Sequence, residues 1–149
     1  MVTVIISVGV VSMLQLLAAG TVSNSEGTEL TMALNLASNV REISLGMSYY
    51  DPQQPTVWNT KEATVAAWDN ITDLDGAAFS PPLDARRVPI AGYASWQQVV
   101  AVDSVSKDKI SLVVPDTCVE PTARITVTIK RNGTAVHKTS WLVVATRAN

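Results

Sequence analysis

The chain has 149 residues, 47% of them hydrophobic and 5% aromatic, and a formal net charge of −2. That length suits one domain and leaves little room for two. The apolar content excludes a disordered chain, the 7 Gly and 7 Pro exclude a fibrous one, and the single cysteine, Cys118, excludes a disulfide scaffold.

Residues 1–25 carry no Asp, Glu, Lys or Arg, and residues 2–22 read VTVIISVGVVSMLQLLAAGTV, with Gln15 as the most polar member. About 20 apolar residues in a helix rise about 30 Å, enough to cross a hydrocarbon core, where the backbone must satisfy its own hydrogen bonds. Two other readings are weaker. A signal peptide cut near Ala18-Ala19-Gly20 lacks the basic n-region, and a helix apolar all round is hard for so short a chain to enclose. Glu26 and Glu29, just past the run, do not favour a cytoplasmic position for the remainder of the chain, so the head is expected outside the cytoplasm.

The helical pattern continues beyond the apolar run. Leu30, Ala33, Leu34, Ala37, Val40, Ser44 and Met47 recur in steps of three and four and define one stripe, with Ser44 its weak member. Gly46 is placed for a C-terminal cap, and Asp51-Pro52 forbids continuation. One long helix is the economical reading, loosened near Gly20 or Gly27, apolar in its first half and amphipathic in its second.

Five of the seven prolines fall within residues 48–95, which read as connecting structure. One short helix is expected inside it, opened by a capping-box pair Asn59 and Glu62 and continued by Ala63, Val65, Ala66, Ala67 and Trp68. Strands are expected at 96–103, 110–114 and 124–130, the last with Ile125, Val127 and Ile129 on one face. Asn132-Gly133 marks a hairpin, and a return strand runs over 135–145. A plain two-residue turn would set Ile129 against Val136 but Val127 against Lys138. A bulge near Gly133 would relieve that, so the register stays open. The expected fold class is α+β, a long N-terminal helix packed on a small antiparallel sheet. The expected organisation is an apolar segment 1–25, an amphipathic helix 26–47 and a head 48–149, itself a Pro-rich connection 48–95 and a sheet 96–145.

Chemistry-bearing patterns are sparse. Asp69, Asn70, Asp73, Asp75 and Gly76 resemble part of a calcium loop. An EF-hand spacing would put Ile71 and Pro82 at ligand positions, so the stretch reads as a solvated acidic turn. Ser104-Val105-Ser106-Lys107 fits S-x-x-K, and Lys138-Thr139-Ser140 echoes K-T-G, but the first lies at a strand end and the third partner motif is missing. His137 is the only histidine, which disfavours a metal cluster or a catalytic triad. Asn70-Ile71-Thr72 and Asn132-Gly133-Thr134 match the glycosylation sequon, a short pattern frequent by chance. Cys118 reads as a buried or inert thiol. Residues 1–75 hold 2 basic and 8 acidic groups, residues 76–149 hold 9 and 5. Lys130, Arg131 and Lys138 gather at the last hairpin, either as a solvated tip or as a basic side that attracts the acidic side of a neighbouring subunit. Nucleic acid is disfavoured because no aromatics interleave these bases.

A helix apolar and then amphipathic, succeeded by a small β-rich head, resembles the type IV pilin and type II secretion pseudopilin superfamily of bacteria, in its minor-pilin-like members. The similarity lies in the pattern of VTVIISVGVVSMLQLLAAGTVSNSEGTELTMALNLASNVREIS, about the first 47 residues. The family's basic leader, its cleavage-point Gly and the Glu after it have no counterpart in Met1-Val2-Thr3, so cleavage and N-methylation are assigned to no residue. The resemblance implies a filament subunit, held before assembly as a single-pass inner-membrane protein and then displayed as a periplasmic or cell-surface filament. Val4, Ile5, Val8, Val11, Leu14, Leu16 and Leu17 would bury in lipid or the filament core, and Leu30, Leu34, Ala37 and Val40 would seat the sheet. The implied partners are membrane lipid and other pilin-like subunits, of the same or another kind. No catalytic residue, metal, cofactor or small-molecule substrate is expected. The rival reading is a single-span anchor that presents a binding module and forms no filament, and a secreted binding domain beginning at Thr21 comes third.

Overall fold

A computed structural model describes residues 2–58, 60–115 and 120–145. Within the first 23 residues it describes only the side chains of Gln15 and Thr21. The elements are a helix α1 (Val2–Leu45), a 3₁₀ helix (Ile71–Leu74), and strands β1 (Ala78–Phe79), β2 (Trp96–Ser104), β3 (Thr122–Arg131) and β4 (Thr134–Val144). The chain divides into two compact units, Met1–Met32 and Ala33–Asn149.

The expectation of a membrane-crossing N-terminal helix does not stand. Among the described residues no helix is long and apolar enough to cross a membrane. The part of α1 whose side chains are described continuously, residues 24–45, carries Glu26, Glu29, Arg41 and Glu42, which interrupt any apolar run of about 20 residues. The pilin-like fold class, the pilin and secretion attributes and the single-pass inner-membrane location drawn from that helix are withdrawn with it. The side chains of Val4, Ile5, Val8, Val11, Leu14, Leu16 and Leu17 lie outside the described residues.

In the first unit, the hydroxyls of Thr28 and Thr31 donate back to the carbonyls of Asn24 and Gly27, the usual accommodation of threonine inside a helix. In the second unit, the last turns of α1 bury Ala33, Leu36, Ala37, Val40, Ile43 and Ser44. At about 100° per residue, these six lie within one arc, and Leu34 falls about 100° from Ala33, outside it. Leu34 is accordingly 48% exposed, as Leu30 is 45% exposed, so the buried face is rotated from the expected stripe. Ala33, Ala37, Val40 and Ser44 of the stripe lie on it, and Leu36 and Ile43 join them in place of Leu30 and Leu34. Ser44 tolerates burial because its Oγ donates to the Arg41 carbonyl, 2.7 Å away. Nor does a left-handed glycine end the helix. The amides of Gly46 and Met47 reach back three residues, to Ile43 and Ser44, and tighten the last turn.

The sheet is an antiparallel meander in the order β1-β2-β3-β4. Alternation places Trp96, Gln98, Val100 and Val102 of β2 in the core, with Ala123, Ile125, Val127 and Ile129 of β3. Asn132 and Gly133 both take positive φ, 50° and 82°, as a tight hairpin with matching twist requires. The register shifts between Ile129 and Lys130, whose partners are His137 and Ala135, so Val136 is the extra residue of a bulge. Below it Val127 meets Thr139 and Ile125 meets Trp141, and Lys138 turns to the outer face opposite Thr128.

Two expected elements do not form. Residues 110–114 make a single bridge, Val105 to Val113, because the 106–109 turn folds the segment straight back through bonds from Ser106 to Leu112 and from Leu112 to Lys109. Residues 63–68 make turns in place of a helix, and Asn59 lies outside the described residues. The capping box belongs to the 3₁₀ helix: the Asn70 side chain accepts from the Thr72 amide, and the Asp73 carboxylate accepts from the Asn70 amide.

Candidate functional site

The described residues bring the acidic side chains together in a way that chain order does not suggest. Ser48 and Asn70 pair as a parallel bridge, through Ser48 N to Asp69 O and Ile71 N to Ser48 O, both 2.9 Å. This lays the 48–54 segment beside the 3₁₀ helix. Asp51, Glu62 and Asp69 thereby offer carboxylate oxygens that all lie within 4.8 Å of one another. Asp73 sits behind them as the organiser. Its Oδ1 accepts from the Glu62 amide at 3.0 Å, and its Oδ2 accepts from the amides of Asp69 and Asn70 at 3.0 and 3.1 Å.

Electrostatics separates the members. A hydrogen bond to the Asp73 carboxylate, together with burial and the negative charge of Asp73 and Asp69, pushes Glu62 up to about 7. Asp51 moves the other way. Burial alone would raise it, but the Gln53 and Gln54 amides, at 2.6 and 3.2 Å from Oδ1, favour the ionised form and hold it below the usual range. Gln53 Nε2 donates to Asp69 Oδ2, whereas Asp69 Oδ1 and Glu62 Oε2 are buried and meet no donor among the described residues. The chemistry this arrangement supports best is proton storage near neutrality.

The expected calcium-like stretch is thus taken apart by the fold. Asp69 joins the cluster, and Asn70 and Asp73 cap the 3₁₀ helix. Asp75 reaches β2 through the Val102 amide at 2.9 Å and pairs with Lys61 at 3.0 Å. Asp51 and Glu62 were missed because nothing in their spacing, 18 and 7 residues before Asp69, marks them as neighbours. Asn70 is fully buried, which removes it as a glycan acceptor, whereas Asn132 is exposed at the hairpin tip. Ser104 is buried, and Lys107 is exposed and bonded to Asp108, so the S-x-x-K pattern forms no Ser–Lys pair. Cys118 lies outside the described residues. At the hairpin, the Arg131 guanidinium lies 5.5 Å from the centre of the Trp96 ring.

A second feature lies in the 33–149 unit, between α1 and β4. Leu34, Ala37, Ser38 and Arg41 on the helix face His137, Thr139, Ser140 and Trp141 on the strand across a groove of about 380 Å³. No family model matches this chain, and no curated protein and no solved structure matches it either.

Proposed function

We propose that the chain is a structural subunit that works by packing through α1, in the manner of subunits of pilus-like filaments. The carrying observation is an exposed apolar face of the helix: Leu30 and Leu34, one turn apart, remain 45% and 48% exposed, while the face that the sheet needs is supplied from Ala33 onward. Large apolar side chains repeated along one stretch of helix are the ordinary material of helix–helix contacts. The reading requires no membrane span.

The test is cross-linking in solution. The full chain is treated with an amine-reactive bis-ester, which can join each subunit to more than one neighbour through Lys61, Lys107, Lys109, Lys130 and Lys138, and the products are separated by size. A heterologous, head-to-tail assembly gives a ladder of oligomers, which Leu34→Asp collapses while tryptophan fluorescence of the head is unchanged. Monomer alone, or a dimer that grows no further, would overturn the proposal in favour of a binding module.

A further inference from the structure

The groove between α1 and β4 combines two properties that together define a ligand class. The first is an open strand edge. β4 is eleven residues long and stands last in the sheet, so among the described residues its outer edge pairs with no strand. Such an edge presents main-chain donors and acceptors at a repeat that any extended segment can match.

The second is a one-sided set of polar side chains. Arg41 contributes a guanidinium that enters no ion pair or side-chain hydrogen bond among the described residues, and His137 an imidazole. Ser38, Thr139 and Ser140 add hydroxyls, and no carboxylate lines the groove. Trp141, in the wall, carries a buried indole N–H that meets no acceptor among the described residues. Leu34 and Ala37 supply the apolar part of the surface.

The arrangement has a structural cause. The bulge at Val136 shifts β4 by one residue, so His137, Thr139 and Trp141 all face the helix. Without that shift Lys138 would turn inward and His137 outward. Arg41 is one helical turn beyond Ala37 and so lies along the same row as Leu34 and Ser38. A strand added outside β4 would turn alternate side chains toward that row.

From this we infer that the α1–β4 groove binds an extended, acidic peptide segment of another protein, which adds to the edge of β4 and directs a carboxylate side chain toward Arg41 and His137. Main-chain hydrogen bonds to β4 supply affinity independent of sequence, and the guanidinium selects acidic side chains on the helix side. The inference shares Leu34 with the assembly reading but rests on Arg41, His137 and the open edge of β4, none of which that reading uses.

The experiment titrates the full chain into two fluorescein-labelled peptides of about ten residues, one alternating Glu and Val and the other alternating Lys and Val. Anisotropy is expected to show the Glu peptide bound about tenfold or more tightly than the Lys peptide. Arg41→Glu should erase that preference, and Lys107→Glu, a charge change on an exposed turn, should leave it intact. Amide hydrogen exchange should slow over 135–143 on adding the Glu peptide, which locates the contact even for a variant of altered stability. Equal binding of both peptides, no binding of either, a preference indifferent to Arg41→Glu, or protection confined to other strands would each overturn the inference. So would a homodimer abolished by Arg41→Glu, because the groove would then belong to a second copy of the chain.

Discussion

The β2–β4 meander and the 48–83 connection solve the same problem, the burial of main-chain polar groups, by different means. In the meander, the amides between adjacent strands pair with one another and alternation sends one face inward, so side chains are free to be apolar. The connection has no long ladder, and side chains take over. Asp73 accepts three amides, Asp51 two and Asp75 one. Gln98, fully buried on β2, joins the two regions. Its Oε1 accepts from Leu83 N at 2.8 Å, and its Nε2 donates to the carbonyls of Leu36 and Leu83 at 2.9 and 3.1 Å. A region held by ladders depends on apolar volume, whereas one held by carboxylates depends on single side chains and on pH.

The largest expected effect lies in the meander. Ile125→Ala, at a position with no exposure, should lower the unfolding free energy by about 4 kcal/mol in urea titration, through lost burial and the cavity left behind. In the connection, Asp73→Ala removes one acceptor from three amides and should cost about 3 kcal/mol, an amount expected of no ordinary loop substitution. A cost for Asp73→Ala as small as that of a surface change would break the contrast between the two regions.

A smaller effect sharpens it. Glu62 titrates at about 7 in the fold against an ordinary 4.5, so between those values the folded chain holds a proton that the unfolded chain has released. Stability from this group is complete below about 4.5, falls as pH rises and is lost above about 7. The thermal midpoint should therefore decline between about pH 5 and pH 8, and Glu62→Gln, which cannot ionise, should flatten that decline. An unchanged slope in the variant would show that another group carries it. The smallest effect returns to the sheet. Arg124 and Asp103 face each other across β2 and β3 at 3.1 Å on the partly exposed outer face, and Arg124→Ser should cost less than about 1 kcal/mol.

Legibility in the sequence divides along the same line. Strict alternation at Ile125, Val127 and Ile129 and the Asn132-Gly133 pair are local signals, and β3, its hairpin and β4 stand where those signals put them. The capping box at Asn70 and Asp73 was not picked out, because that short pair stands in a proline-rich stretch and the pairing of Ser48 with Asn70 joins segments about 20 residues apart. Leu36 and Ile43 were overlooked for Leu30 and Leu34. A three-four periodicity leaves the edges of the stripe open by tens of degrees, and the sheet beneath fixes which arc is buried.

Sequence by itself determined β2, the β3–β4 hairpin and the end of α1 near Gly46, since alternation, turn residues and proline act over a few positions. It also determined the charge division, with acidic residues early and basic residues late. Only the tertiary structure decided that Asp51, Glu62, Asp69 and Asp73 share one site, that Gln98 is a buried tie, and that a bulge at Val136 turns His137 toward Arg41. Those are contacts between segments far apart in the chain, and their energies belong to the folded arrangement rather than to any local pattern.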